Sequence, residues 1–404
     1  MTLKSVGKSA AEIKALTKKY LIETYERYDF VAERAEGMYL YDEAGRGYLD
    51  FYGGIAVNSA GNRNAKVIDA AREQMGDIVH TFNYPYLIPQ TLLAEKICVT
   101  LGYDKIFYQN SGTEANEAMI KMARKYGIEK YGPQKYHIVS AKNSFHGRSF
   151  GALSATGQPA SACHKGFGPM VPGFSYAEFN NLESFRSMVT ENTIAIMLEP
   201  IQGEGGVNVG TPDFINGIAA LCKEKGILLL MDEIQTGWCR TGKIMCYMHY
   251  GIKPDIVSMA KAMGGGFPIG AIVTTDEVAK AFSMGSHGTT YGGNSVCCAA
   301  ALAQINELLD RNLAENARAM GDYLAGLLRK IPHVVNVRGK GLLVGAEFDA
   351  PIGKAVKHGC LERYLLVTLI GDRLIRMVPP LILTKADCDK AAAVIAEAAA
   401  EAAK

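Results

Sequence analysis

Residues Ile227 to Met231 form an unbroken apolar run, set off by Gly226 and followed at once by two carboxylates, Asp232 and Glu233. The run is too short for a typical helix and fits a strand buried on both faces, as in a parallel sheet covered by helices. A second run, Ile256 to Met259, ends just before Lys261 and the glycines Gly264-Gly265-Gly266. In open α/β sheets, ligands gather at the carboxyl ends of strands, where the chain turns outward. An acid and an amine at two such ends suit a cofactor needing a charge partner on its ring and a covalent amine. Pyridoxal phosphate (PLP) has both needs. Each residue alone also fits a plainer role, the Asp-Glu pair as a helix cap or solvated loop and Lys261 as a surface lysine, so the reading depends on further cofactor contacts.

The same alternation of short apolar runs and helical spacing extends from about residue 61 to 300. Strands are expected at Ile106–Tyr108, His137–Ser140, Ile194–Leu198 and Ala271–Thr274 in addition to the two runs above. Strands alternating with helices argue for a mainly parallel sheet with helices on both sides, an α/β fold. Before it, the first 30 residues carry helical spacing. Tyr39 to Phe51 then reads as a hairpin turning at Glu43–Gly47, until Gly53-Gly54 breaks the pattern. This places an N-terminal segment at 1–60, the large domain at 61–300 and a smaller α+β domain at 301–404. The last begins on a connecting helix, about Ser295 to Leu309, and continues with strands at Val334–Val337, Leu342–Phe348, Leu365–Ile370 and Leu374–Val378. An Ala/Glu-rich helix closes it.

Composition removes several function classes. The chain has 404 residues, and Lys+Arg 43 against Asp+Glu 41 leaves a formal net charge of +2 with no basic block, so no nucleic-acid partner is expected. The N-terminus lacks the apolar core of a signal peptide, and no run approaches the roughly 18 apolar residues that span a bilayer. A cytoplasmic protein without membrane contacts is expected. Nine cysteines are present without a CxxC pair, and no HExxH occurs. That pattern gives no expectation of a metal site.

Asn110-Ser111-Gly112-Thr113 follows the strand ending at Tyr108 and opens a helix whose apolar face is Ala115, Ala118, Met119, Met122 and Ala123. Ser111, Gly112 and Thr113 therefore offer hydroxyls and amides at a helix N-terminus, a ready phosphate site. Ser-Gly-Thr is equally an ordinary N-cap. After the strand at His137–Ser140 comes Ser144-Phe145-His146-Gly147-Arg148. Phe145 can stack on a planar ring and Arg148 can clamp a carboxylate, or they can be a packed Phe and a surface Arg. Glu199 to Gly206, after the strand at Ile194–Leu198, is a third candidate group.

Together these stretches resemble the class III (subgroup II) aminotransferases, PLP-dependent enzymes of fold type I, from about Tyr39 to Pro380. The segments FHGRSFGALSATGQPA, KGFGPMVPGFSYAEFNNLESF and GGIAVN (residues 53 to 58) are most similar to the subfamily that acts on N2-acetylornithine. The resemblance implies a large domain with a mainly parallel seven-stranded sheet and a smaller α+β domain drawn from both termini. It implies Lys261 as the covalent amine and proton shuttle, Asp232 on the pyridinium nitrogen, Gln235 on the phenolic oxygen and Phe145 on the ring. Ser111, Gly112 and Thr113 would cradle the phosphate, with Thr290 reaching it from the partner subunit of a homodimer with shared active sites. Arg148 would bind the donor's α-carboxylate and Arg376 that of 2-oxoglutarate or glutamate. Glu204 would pair with Arg376 while an ω-amine donor is bound.

The reaction implied is transfer of the δ-amino group of N2-acetylornithine to 2-oxoglutarate, in arginine biosynthesis. Sibling donors (succinylornithine, succinyldiaminopimelate, ornithine, 4-aminobutyrate), an aminomutase and a non-catalytic binding relative are the alternatives. A binding module has no need of the amine, so Lys261, Asp232, Gln235 and Arg148 together argue against the last. Two departures from the family pattern stand out. Gly61-Asn62-Arg63-Asn64-Ala65 replaces Gly-His-x-His-Pro, close to the substrate entrance in the family. Trp238-Cys239 stands where a glycine-containing pair is commoner.

Overall fold

In the computed structural model, which describes residues 1–404, a seven-stranded sheet forms the centre of the molecule. Its strands in chain order are β1 (Lys105–Gln109), β2 (His137–Ala141), β3 (Phe174–Ala177), β4 (Thr193–Leu198), β5 (Leu228–Asp232), β6 (Ile256–Met259) and β7 (Gly270–Thr274). Across the sheet they lie in the order β1-β7-β6-β5-β4-β2-β3. The pairs β2/β3, β2/β4, β4/β5 and β5/β6 are parallel. Only β7 runs against both its neighbours. Every residue of β4, β5, β6 and β7 is buried, which is why these strands read as continuous apolar runs.

The mainly parallel α/β sheet is as expected, with differences at its margins. Edge strand β3 has no apolar run: three of its four residues are only half-buried, and sequence pattern alone missed it. Strand β5 starts at Leu228 because Gly226, at φ 61°, caps the preceding helix and the Ile227 amide donates back to Cys222 O. The helix Gly112–Tyr131 buries the whole predicted apolar face.

Two four-stranded sheets flank the centre. Ala32–Glu36, Tyr39–Asp42 and Gly47–Asp50 form an antiparallel meander, joined by Leu365–Leu366 running parallel to Gly47–Asp50. Val334–Lys340, Leu343–Phe348, Leu374–Met377 and Thr368–Ile370 form the other, in that order and antiparallel throughout. The single strand expected over Leu365–Ile370 is thus two short ones, parted at Val367 and serving different sheets. The helix Ser295–Asp310 lies against Ala65–Asp77 and Ile88–Leu101. Lys385–Ala402 closes the chain against Gly353–Glu362.

Arg240 ties these parts together. Its side chain is fully buried and donates to Leu342 O, Pro379 O and Ser59 Oγ, three otherwise separate segments. Burial without a carboxylate partner pulls its pKa down to about 9. Just before it, Trp238 and Cys239 take φ of 53° and 73°, the left-handed region that favours glycine. Glycine, with no Cβ, adopts such angles without strain.

Candidate active site

Strand register assembles the site. Asp232, the last residue of β5, pairs with Ser258 of β6, and Lys261 follows the end of β6 at Met259. Because β7 returns antiparallel, Gly270 at its start sits beside Gln109 at the end of β1. A Cβ on Gly270 would lie 2.3 Å from Ser111 O, so only glycine permits this approach of the Ser111–Thr113 turn to the loop bearing Lys261. The result is a cavity of ≈ 600 Å³ lined by Lys261, Asp232, Ser111, Gly112, Thr113, Phe145, Arg148 and Gln235. That volume suits a cofactor or small substrate.

The helix Gly112–Tyr131 points its N-terminus at this cavity. Ser111 caps it by accepting from Glu114 N–H at 3.3 Å, while the Gly112 and Thr113 amides have no acceptor in the chain. Thr113 Oγ1 is committed elsewhere, accepting from the Arg148 and Ser149 amides at 3.2 Å each. A Cβ at Gly147 would come 2.2 Å from that hydroxyl, so glycine is what lets the loop carrying Phe145 and Arg148 fold over the helix end. Arg148 is exposed, its guanidinium 5.8 Å from the Phe145 ring centre.

Asp232 is held from three sides. Oδ1 accepts the Ile234 amide at 3.0 Å, and Oδ2 accepts Asn116 Nδ2 at 2.7 Å and His146 Nδ1 at 2.8 Å. Asn116 is itself fixed, accepting from Ser258 Oγ at 2.7 Å and donating to His146 O at 2.6 Å. Sequence reasoning gave no role to Asn116, His146 or Ser258. The one available signal was Asn116, a polar residue set into an apolar helix face.

Lys261 sits at φ 38°, a strained conformation that costs of order 1–3 kcal/mol and is typical of functional sites. Burial lowers its pKa below the ordinary lysine range, against the opposing pull of Glu204. Gln235 bridges the next pair, donating to Glu204 Oε1 at 3.1 Å and accepting from Arg376 at 3.1 Å. Arg376, 3% exposed, pairs with Glu204 at 2.5 Å and donates to Gly203 O at 3.0 Å. Burial pushes the Glu204 carboxyl up, but Arg376 and Lys261 outweigh it and hold it below its usual value. Glu199 also lines the cavity.

Thr290 is not among these groups. It is exposed on a separate surface cavity of ≈ 830 Å³ beside His80, Phe82 and Tyr84. The Asn62–Ala65 segment lies outside the cavity lining as well. Asn62 accepts from Asn58 at 2.8 Å and donates to Asp50 at 3.2 Å, while Asn64 caps the helix Ala65–Asp77. The GGIAVN stretch does reach the cavity, through Val57. Before Val57, residues Gly53 to Ala56 make a left-handed turn with φ between 54° and 64°.

The pattern of the family described as Aminotransferase class-III matches residues 22–399. An acetylornithine aminotransferase of Caldanaerobacter subterraneus subsp. tengcongensis is 43% identical over 95% of this chain and 98% of its own length. A Pseudomonas aeruginosa protein named succinylornithine transaminase/acetylornithine aminotransferase is 39% identical over 92% of this chain and 93% of its own. Among solved structures, an ornithine aminotransferase of Toxoplasma gondii, described with partial occupancy of PLP at its active site, superposes with a TM-score of 0.93. It is 30% identical, with 98% of this chain and 96% of that one covered.

Proposed function

This chain belongs to the class-III aminotransferases, and we propose that it moves the δ-amino group of N2-acetylornithine to 2-oxoglutarate, giving N-acetylglutamate 5-semialdehyde and glutamate in arginine biosynthesis. The observation carrying this donor is near-full-length similarity, at 43% identity, to a protein named for that substrate. The family depends on PLP, which when bound supplies an electron sink for the carbon that gains or loses the amino group.

The residues present fit that group. The unpaired Gly112 and Thr113 amides at a helix N-terminus suit a phosphate, with Ser111 beside them. Phe145 offers an aromatic face, Asp232 an acceptor for a protonated ring nitrogen, Gln235 an amide for the phenolic oxygen, and Lys261 an amine. Three donors on Asp232 keep its carboxylate in one orientation, which is preorganisation rather than flexibility. The lowered pKa of Lys261 favours the free amine needed for covalent attachment and for taking a proton at Nζ from the donor's δ-carbon. Arg148 holds the donor's α-carboxylate. Arg376 holds that of 2-oxoglutarate or glutamate once Glu204 swings away, and pairs with Glu204 when the donor has no carboxylate to place there.

A homodimer fits the same reading. Phe82, Tyr84, Tyr86 and Ile88 are 63%, 93%, 103% and 75% exposed, an apolar surface that a second copy would cover. Thr290 beside it would then serve the partner's phosphate site. Nine free cysteines suit the reducing cytoplasm, and no helix is long and apolar enough to cross a membrane. Succinylornithine is the second reading, favoured by the double name of the Pseudomonas relative.

The deciding experiment mixes PLP-loaded enzyme with acetylornithine, succinylornithine, ornithine and 4-aminobutyrate and follows the visible absorbance of the cofactor. Fast loss with acetylornithine, reversed by 2-oxoglutarate, is expected. Faster loss with another donor reassigns the substrate, and no loss with any donor sinks the transfer reaction.

A further inference from the structure

Asp232 and Glu199 line the cavity, Glu204 adjoins it through Gln235, and the partners of the three acids differ. Asp232 receives three N–H donors, and Glu204 has a guanidinium and an amide. Glu199, only 5% exposed, receives one donor, the Phe145 amide at Oε2 (2.9 Å). No Lys or Arg pairs with it, and Oε1 has no donor in the chain. An ionised carboxylate so placed would be an uncompensated buried charge beside two other acids, and such groups keep their proton.

We infer that Glu199 is a positioning residue that works as a neutral carboxylic acid, accepting the Phe145 amide at Oε2 and carrying its proton as an O–H donor on the other oxygen. The inference rests on reading the cavity as the cofactor site. Its immediate effect is to anchor the backbone of Phe145, the aromatic face of that site. Its second effect is electrostatic: an ionised Glu199 would favour the charged form of Lys261, whereas the neutral acid leaves the amine free. The groups facing Glu199 are Asp232, Glu204, Lys261 and the Phe145 amide. Burial first, then Asp232, push its carboxyl well above the ordinary range, against the opposing pull of the Phe145 amide and Lys261.

Glutamine reproduces a neutral acid's acceptor and donor, so Glu199→Gln and Glu199→Ala separate the possibilities. Infrared difference spectra of wild type against E199Q at neutral pH are expected to show one protonated-carboxyl C=O band, shifted in D2O, that the variant lacks. No such band means an ionised Glu199 and overturns the inference. For positioning, the Kd for PLP is expected to stay within about twofold in E199Q and to rise about tenfold in E199A, the loss of one hydrogen bond to a buried amide. E199Q as weak as E199A, or E199A as tight as wild type, overturns it too. Circular dichroism of each variant checks that the fold is kept. The infrared band requires no substrate, so failure of the donor assignment leaves this result standing, and the reverse.

Discussion

Asp232 and Glu233 are consecutive, both buried, and each accepts three hydrogen bonds, yet they serve opposite ends. Successive side chains at a strand end point to opposite sides. Asp232 faces the cavity and is held by Asn116, His146 and the Ile234 amide. Glu233 faces away and gathers Thr236 Oγ1 with the Cys246 and Tyr247 amides, so it pins the loop that follows β5. Burial and hydrogen-bond count therefore do not tell the cavity-facing carboxylate from the other. What the carboxylate faces does.

The sharpest way to break this contrast is at Asp232. Asp232→Asn keeps the volume but removes the charge and turns an amide toward the Asn116 and His146 donors. Both half-reactions are expected to slow together, by on the order of 10³-fold, while PLP still binds and the fold is kept. Stopped-flow measurement of each half-reaction checks this. A variant that slows only one would mean Asp232 acts on substrate rather than on the shared cofactor.

At Glu233 the effect is on stability and its pH dependence. Burial raises this carboxyl from 4.5 to about 7, against the pull of its three donors. A raised carboxyl penalises the folded state once the unfolded chain ionises. The penalty is absent below about pH 4.5, grows as pH rises to about 7 and is complete above that. Its full size is about 3 kcal/mol. Glu233→Gln is expected to flatten this part of the stability–pH curve, measured by urea unfolding from pH 5 to 8, and to leave the half-reactions close to wild type. An unchanged slope would mean that the donors, not burial, set its ionisation.

Glu204 sharpens the comparison from a third side, because its main partner is the buried guanidinium of Arg376 rather than backbone amides. Glu204→Gln removes the counter-charge of Arg376 for donors that bring no carboxylate there. The half-reaction with acetylornithine is expected to lose about tenfold in kcat/KM while that with glutamate does not, a selective change that Asp232 substitutions cannot give. Equal losses in both would remove the exchange role from Glu204.

Much of this was legible in the sequence because the central strands are buried on both faces, so apolar runs mark them and their ends mark the ligand side. That Lys261, Asp232 and the Ser111–Thr113 turn line one cavity was expected on that ground. Asn116, His146 and Ser258 were not, since their role depends on the Asp232–Ser258 register and on a helix packed across it, contacts that no local pattern encodes. The antiparallel sense of β7 was equally hidden: a strand with both faces buried reads the same in either direction. Edge strand β3 lacked an apolar run, and the break at Val367 is a change of sheet within a continuous apolar stretch.

The smallest expected effect lies six residues beyond Glu233 and concerns backbone alone. Cys239 is 1% exposed and sits at φ 73°, its amide donating to Ile244 O at 3.0 Å. Glycine there relieves roughly 1–2 kcal/mol of left-handed strain. It also frees the unfolded chain by about 0.5–1 kcal/mol and forfeits the packing of a small buried side chain. These contributions oppose one another, so Cys239→Gly is expected to change stability by less than about 1 kcal/mol and to leave both half-reactions unaltered. Cys239→Val keeps the apolar contact but puts a β-branched residue where φ is positive, so it should lose more than about 1 kcal/mol. Urea unfolding of the pair decides the matter: if valine is tolerated as well as glycine, the positive φ at Cys239 carries no strain and packing around Trp238 sets the preference at this site.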